Sequence, residues 1–201
     1  MLTKVVLSFD ENSMFRSGKF FPFMDKPVYF SDPNSTYIST IAYGDSVLYQ
    51  LDPNEDFKVV NRIKLERSGH DKMIDLPMSQ ASYTTVREHR TSNYKLAGLF
   101  DEIVGYGDEV LVGYQTGTDP SLVYEGEDES QRIAERNSRK RFFYYINDGK
   151  RIGKPIHWKE PGQLLLNVGP KRYLQFADQA EIHEYEKDYQ CYYIYELREK
   201  N

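Results

Sequence analysis

The clearest pattern along the chain is strict alternation of apolar and polar positions over short runs, the period of a half-buried β-strand. Residues 57–65 place Val59, Ile63 and Leu65 on one side and Lys58, Arg62 and Lys64 on the other, with Asn61 on the apolar side and in need of a partner there. Val47, Tyr49 and Leu51 alternate after Gly44-Asp45, and Val110, Val112 and Tyr114 do so after Gly107-Asp108. The two segments, IAYGDSVLYQ and YGDEVLVGYQ, echo each other 63 residues apart. In both, glycine precedes aspartate, which is the order that suits a two-residue type II′ link with positive φ at its first position. The pattern predicts two copies of one strand, turn, strand unit.

Further elements follow from the same reasoning. Residues 3–9 read as a first strand. The aromatic segment 20–30 is interrupted by Pro22 and Pro27 and reads as an edge segment or an extended loop with its rings turned inward. Residues 37–65 form a three-stranded meander. Residues 67–92 carry no sustained period, and the expectation there is one strand at 81–86 between two loops. The second unit is predicted as strands at 94–100, 103–106 and 109–115. Asn147-Asp148-Gly149, between runs at 142–146 and 152–158, is the strongest short hairpin signal, and Pro155 marks its second arm as an edge. Residues 163–168 and 172–176 pair around Gly169-Pro170. The last strand, 190–197, is apolar on both sides, with Cys191, Tyr193, Tyr195 and Leu197 on one and Tyr192 and Ile194 on the other, so it calls for cover on both. Residues 125–141 run from acidic to basic, which suits a helix dipole, but only Ile133 and Ala134 are apolar; a solvated, fraying helix or mobile insertion is expected.

The expected fold is therefore all-β: antiparallel meanders arranged as a partial β-propeller of about three blades, with a closed barrel or sandwich as the alternative. Residues 1–201 are expected to form a single propeller-like domain, complete or incomplete, with units near 37–66, 94–158 and 163–198 and an insertion at 125–141.

Composition supports a folded β-rich chain, since 17 Tyr and 11 Phe in 201 residues favour strands over disorder. A net charge of −5 argues against a nucleic-acid partner. The one cysteine, Cys191, excludes an intramolecular disulfide and a cysteine-based zinc site and reads as a small buried apolar residue. The first ten residues hold too short an apolar run for a signal peptide, and no segment is long enough to cross a membrane as a helix.

Chemistry is sparse. His70, His89, His157 and His183 have no metal-ligand spacing, and no metal or cofactor is expected. His70-Asp71, the one histidine followed directly by a carboxylate, could be half of an acid/base pair, with a solvated loop histidine as the plainer account. His157 beside Trp158 reads as a satisfied or edge-exposed strand residue. Asp101, Glu102 and Asp108 flank the second hairpin and are the candidates for a glycosidase-like carboxylate pair, with surface solvation as the alternative. No catalytic residue is assigned on this basis.

The stretches YISTIAYGDSVLYQLD and TSNYKLAGLFDEIVGYGDEVLVGY and the terminal YYIYELREK resemble the C-terminal half of an uncharacterised family of bacterial six-bladed β-propeller lipoproteins. The resemblance implies a half-ring, because a full ring needs about twice this length at about 40–50 residues per blade. It also implies a periplasmic or cell-surface location if an upstream half is missing, and it carries no catalytic residues. An open half-ring exposes blade faces and edges and allows a homodimer. The leading functional expectation is a non-catalytic module that binds a protein, peptide or glycan. A carboxylate-dependent glycoside hydrolase and a truncated gene product without independent function are the alternatives.

Overall fold

The structure, a computed structural model, describes residues 9–11, 13–124, 126, 128–159, 164–177 and 191–198. Of these, 42% lie in strands and 21% in helices. Strands dominate, as the alternating runs require. Three antiparallel sheets follow one another along the chain. The first holds β1 (Pro27–Phe30), β2 (Ile38–Ala42), β3 (Val47–Asp52) and β4 (Lys58–Lys64) in that order. The second holds β5 (Leu99–Tyr106), β6 (Glu109–Gln115), β7 (Arg141–Asn147) and β8 (Lys150–Trp158), again in chain order. In the third, β10 (Arg172–Ala177) lies between β9 (Leu164–Gly169) and β11 (Cys191–Glu196). Each sheet is open, so the described residues form no closed barrel. Residues 3–8 of the expected first strand lie outside the described residues, and Phe9 is not in a strand.

The second sheet is buried on both faces. Toward the first sheet, Phe100, Ile103, Val110, Val112, Tyr114, Tyr144 and Ile146 pack with Ile41, Leu48, Ile63 and Leu65. Toward the third, Val104, Leu111 and Phe143 pack with Leu164 and Tyr173. Period-2 alternation puts residues 103 and 104, or 111 and 112, into opposite clusters, so a run that is apolar throughout feeds two cores. Between sheets, the nearest strands are the first of each meander, β1 against β5 and β5 against β9.

The two echoing hairpins are not equivalent. Gly44-Asp45 lies between the second and third strands of its sheet, Gly107-Asp108 between the first and second. Gly107 takes the expected positive φ of 57° in a two-residue link closed by the Tyr106–Glu109 pair. Gly44 does not lie in the left-handed region, and a four-residue connection separates its strands. Its glycine answers to packing instead, because a Cβ there would come 2.9 Å from Cβ of Met24. The echo is shared hairpin grammar and not a repeat of one sheet position.

Of the other expected turns, the one at Asn147-Asp148-Gly149 forms as predicted, whereas the link expected at Gly169-Pro170 is Pro170-Lys171, between Gly169 and Arg172, with Lys171 at φ 57°. Asp148 and Gly149 both take positive φ, 47° and 70°, between Asn147 and Lys150, the pattern of a type I′ turn. Pro155 sits on β8, an edge strand, beside a bulge where the register shifts opposite Phe143–Tyr145. Asn61 finds its partner by donating Nδ2 to Oε1 of Gln50 at 3.0 Å. The last strand departs from expectation, since described residues cover β11 on one face only: Tyr195 packs on Trp158 at 4.6 Å, whereas Ile194 is 67% exposed.

The strands expected at 81–86 and 94–100 are corrected by a helix, α1 (Tyr83–Leu96), with β5 beginning only at Leu99. Thr84, Thr85 and Val86 are β-branched and read as strand, but Ser82 decides the matter. Its hydroxyl accepts the Thr85 N–H at 3.2 Å while the Thr85 hydroxyl accepts the Ser82 N–H at 2.8 Å, a reciprocal capping box. The helix buries one side chain, Asn93, which accepts from the Ile74 N–H at 2.7 Å and donates to the Ile74 and Pro22 carbonyls. In the insertion, α2 (Glu129–Asn137) forms behind the N-cap Asp128 and is solvated apart from Glu135.

Candidate functional site

The carboxylates singled out from the sequence divide into two structural roles. Asp108 sits at the tip of the β5–β6 hairpin and accepts from the Thr36 N–H at 2.6 Å and the Ser35 hydroxyl at 3.1 Å, which fastens the tip to the loop before β2. Asp101 and Glu102 lie near the other end of β5, where a register shift in the ladder to β6 brings both to one guanidinium. Nη2 of Arg141 donates to Asp101 at 2.9 Å and to Glu102 at 2.6 Å. All three side chains are 15% exposed or less. Burial pushes the Glu102 carboxyl up to about 7 in spite of the Arg141 charge, and burial raises Asp101 as well. Glu102 Oε1 and Arg141 Nε are buried without a hydrogen-bond partner. The group is a packed knot of two acids and one cation, and Asp108 is not part of it.

His70 and Asp71 do not act together. Asp71 takes two bonds from Arg67, at 2.6 and 2.8 Å, and one from the Gly98 N–H at 2.8 Å. Burial alone would raise its pKa, but Arg67 and Gly98 hold it below the usual carboxylate range. The His70 ring instead faces Asp119 at 3.5 Å, half exposed. His157 is exposed and stacks on Phe142 at 5.1 Å. His89 sits on α1 with Nδ1 at 2.9 Å from the Thr85 carbonyl. His183 and the Cys191 side chain lie outside the described residues. No three His, Cys, Asp or Glu side chains among the described residues gather as a metal site would need.

The structure draws attention to a place the sequence did not mark. A cleft of about 400 Å³ opens between the end of α1 and α2. Tyr94 and Lys95 line it from α1; Arg132, Glu135 and Arg136 line it from α2, and Arg139 from just beyond; Tyr124 and Gly126 complete it. Among the described lining residues, four cations face one carboxylate in a chain of net charge −5. Glu135, 7% exposed, organises the floor by accepting the Tyr124 N–H at 3.2 Å and lying 3.7 Å from Lys95 Nζ. Lys95 also donates to the Tyr124 carbonyl at 3.0 Å. Arg139 anchors Nε on the Thr118 hydroxyl at 3.0 Å and lays its guanidinium 5.4 Å from the Tyr94 ring centre. Arg132 donates Nε to the Gly126 carbonyl at 3.1 Å. Among the described residues, the terminal nitrogens of Arg132 and Arg139 have no acceptor. The sequence signal available in advance was the basic half of 125–141; the partners Tyr94 and Lys95 lie about 40 residues earlier and were read as strand.

A second cleft, of about 360 Å³, lies beside the Gly44-Asp45 turn and is lined by Asp10, Ser13, Asp45, Lys64 and Arg67 among others. Asp45 is 3% exposed and its carboxyl is raised by burial, against the Ser46 N–H and the Ser13 hydroxyl that bond it. Ser46 and Ser13 thus occupy the Asp45 carboxylate, and Arg67 is engaged by Asp71, Gly44 and Gly98. That arrangement joins the segment around Ser13 to the first sheet.

No helix among the described residues is long and apolar enough to cross a membrane. Comparison with models of known protein families, with curated proteins and with solved structures finds no match for the chain.

Proposed function

We propose that this chain is a non-catalytic, propeller-like binding module that takes a protein, peptide or glycan ligand in the cleft between α1 and α2. The observation that carries the reading is the cleft itself. It joins aromatic surface to unsatisfied hydrogen-bond donors, it sits on helices held outside the sheets, and among the described residues its lining has no nucleophile beside a base. The hydrolase alternative is weakened by the burial of Asp101 and Glu102 against Arg141, which keeps both acids from a substrate, and by the separate role of Asp108. The propeller-like part of the reading, in keeping with the resemblance to the lipoprotein family, draws support from the succession of meander sheets and the approach of β1, β5 and β9.

The test is an array of peptides and glycans probed with the wild-type chain and with Tyr94→Ala, alongside a panel of chromogenic glycosides incubated with wild type and Glu102→Gln. Binding that Tyr94→Ala removes, with no glycoside turnover, is the expected result. Turnover that Glu102→Gln abolishes would replace this reading with the hydrolase.

Within the same reading, the face of the third sheet that no other described sheet packs against takes a second copy of the chain. Phe176, Tyr192 and Ile194 are 46%, 43% and 67% exposed on that face, which continues the direction in which the other sheets stack.

A further inference from the structure

We infer that the α1–α2 cleft is an oxyanion-recognition site, and that its ligand is a short acidic peptide segment whose carboxylate or phosphate groups are held by Arg132 and Arg139 between Tyr94 and Tyr124. The inference rests on the binding-module reading and names the ligand chemistry of that site.

The argument begins with the state of the donors. A guanidinium offers five N–H groups in a planar fork that matches the two oxygens of a carboxylate or phosphate. Arg132 and Arg139 each use Nε on a protein oxygen, Gly126 O and Thr118 Oγ1. Those bonds fix the root of each fork and leave its terminal nitrogens to the cleft. Arg139 is steadied further by the Tyr94 ring. A cation orientated in this way loses less side-chain entropy on binding than a free surface arginine. Arg136 differs, because it lies 3.7 Å from Glu129 with both side chains well exposed, and it supplies general positive potential.

Glu135 adds a second reason. The lone acid in the cleft is occupied by the Tyr124 N–H and by Lys95, so it holds the floor in place without cancelling the two forks. Glu125 and Glu127 flank Gly126 in the sequence and lie outside the described residues; the charge count refers to the described lining.

Size and charge narrow the class. A volume of about 400 Å³ is at the small end for ligand pockets and admits two or three side chains. The acidic remainder of the chain opposes a long polyanion, whose binding grows with the number of phosphates neutralised. Two tyrosines beside the forks offer apolar and ring surface to the residues next to the anion, Tyr94 being 50% exposed.

The experiment is fluorescence anisotropy with labelled probes: a peptide of alternating Glu and Tyr, the same peptide with one phosphotyrosine, its Gln-for-Glu version, and a single-stranded oligothymidylate. Variants are Arg132→Ala, Arg139→Ala, Arg139→Lys and Arg136→Ala, each checked for an unchanged melting curve. The Glu or the phosphotyrosine peptide is expected to bind, and whichever is tighter identifies the source of the oxyanion. Affinity should fall about tenfold in Arg132→Ala and in Arg139→Ala and only about twofold in Arg136→Ala. Arg139→Lys should recover only part of the loss, because an ammonium keeps the charge but not the fork. Raising salt from about 50 to about 300 mM should weaken binding several-fold. Equal binding of the Gln version, or binding untouched by the arginine variants but lost in Tyr94→Ala, overturns the inference and leaves the binding module standing. Tighter binding of the oligothymidylate, lost in the same variants, overturns the peptide assignment. Absence of any Tyr94-dependent ligand in the array overturns both.

Discussion

Arg67 carries more of the architecture than any other polar side chain described. Its guanidinium, 10% exposed, bonds Asp71, the Gly44 carbonyl at 2.7 Å and the Gly98 carbonyl at 2.6 Å, and lies over Phe100 and Tyr114. It thereby ties the β2–β3 turn to the start of β5. Removing it strands a buried carboxylate and two carbonyls, so Arg67→Ala should cost about 3 kcal/mol in urea denaturation, with its anisotropy titration unchanged in whatever fraction stays folded. Glu102 predicts a pH dependence of opposite sense to Asp71. With a folded pKa of about 7 against an ordinary value of 4.5, the folded chain keeps a proton that the unfolded chain has released. Stability from this group is therefore greatest at low pH and declines as pH rises from about 4.5 to about 7, by about 3 kcal/mol at about 1.4 kcal/mol per unit. Asp71, held low by Arg67 and Gly98, contributes above its unfolded pKa and loses that contribution as pH falls further. Denaturation between about pH 5 and 8 should show the decline in wild type and a flatter profile in Glu102→Gln; a wild-type curve that rises with pH would contradict the assignment.

Among the elements, α1 depends on its ends. Only Asn93 is buried on it, so packing contributes little and the Ser82–Thr85 box contributes much. Ser82→Ala should weaken the helix by about 1 kcal/mol, read as roughly fivefold faster amide exchange in its first two turns, with exchange in β6 unaltered. The face between the second and third sheets has a different character. Its apolar cluster is small, and the buried Tyr173 hydroxyl lies beside Asn167 without a well-formed hydrogen bond. Burial drives the Tyr173 phenol well above its usual pKa, so it stays neutral. Tyr173→Phe removes a buried, poorly paired hydroxyl and should leave stability unchanged or raise it by about 1 kcal/mol in thermal denaturation; a loss of that size would mean that the hydroxyl is well bonded.

At the scale of the whole molecule, sheets stacked on shared cores leave the third sheet with one face that no described residue packs over. If a second copy covers it, sedimentation should show concentration-dependent dimers, and Ile194→Lys should weaken them at least about tenfold by burying an unpaired charge. A monomer at all concentrations would remove the second copy from the account.

The hairpins were legible in advance wherever the deciding interaction is local. Asp148-Gly149 specifies its turn by the sterics of two positive φ values, and alternation in 57–65 specifies which side of β4 is buried, down to the need of Asn61 for a partner. The sequence by itself thus determined the class, the Gly107-Asp108 and Asp148-Gly149 turns and the buried side of β4, because each depends on residues within about ten positions. Tertiary structure decided the rest. It set the difference between Gly44 and Gly107, because contact with Met24 comes from 20 residues away. It set the fate of Asp101, Glu102 and Asp108, which one arginine and one loop assign to separate roles. It also made the cleft, whose two sides come from helices that meet only once β5, β6 and β7 have paired, so that a basic stretch and two tyrosines without a motif become one surface.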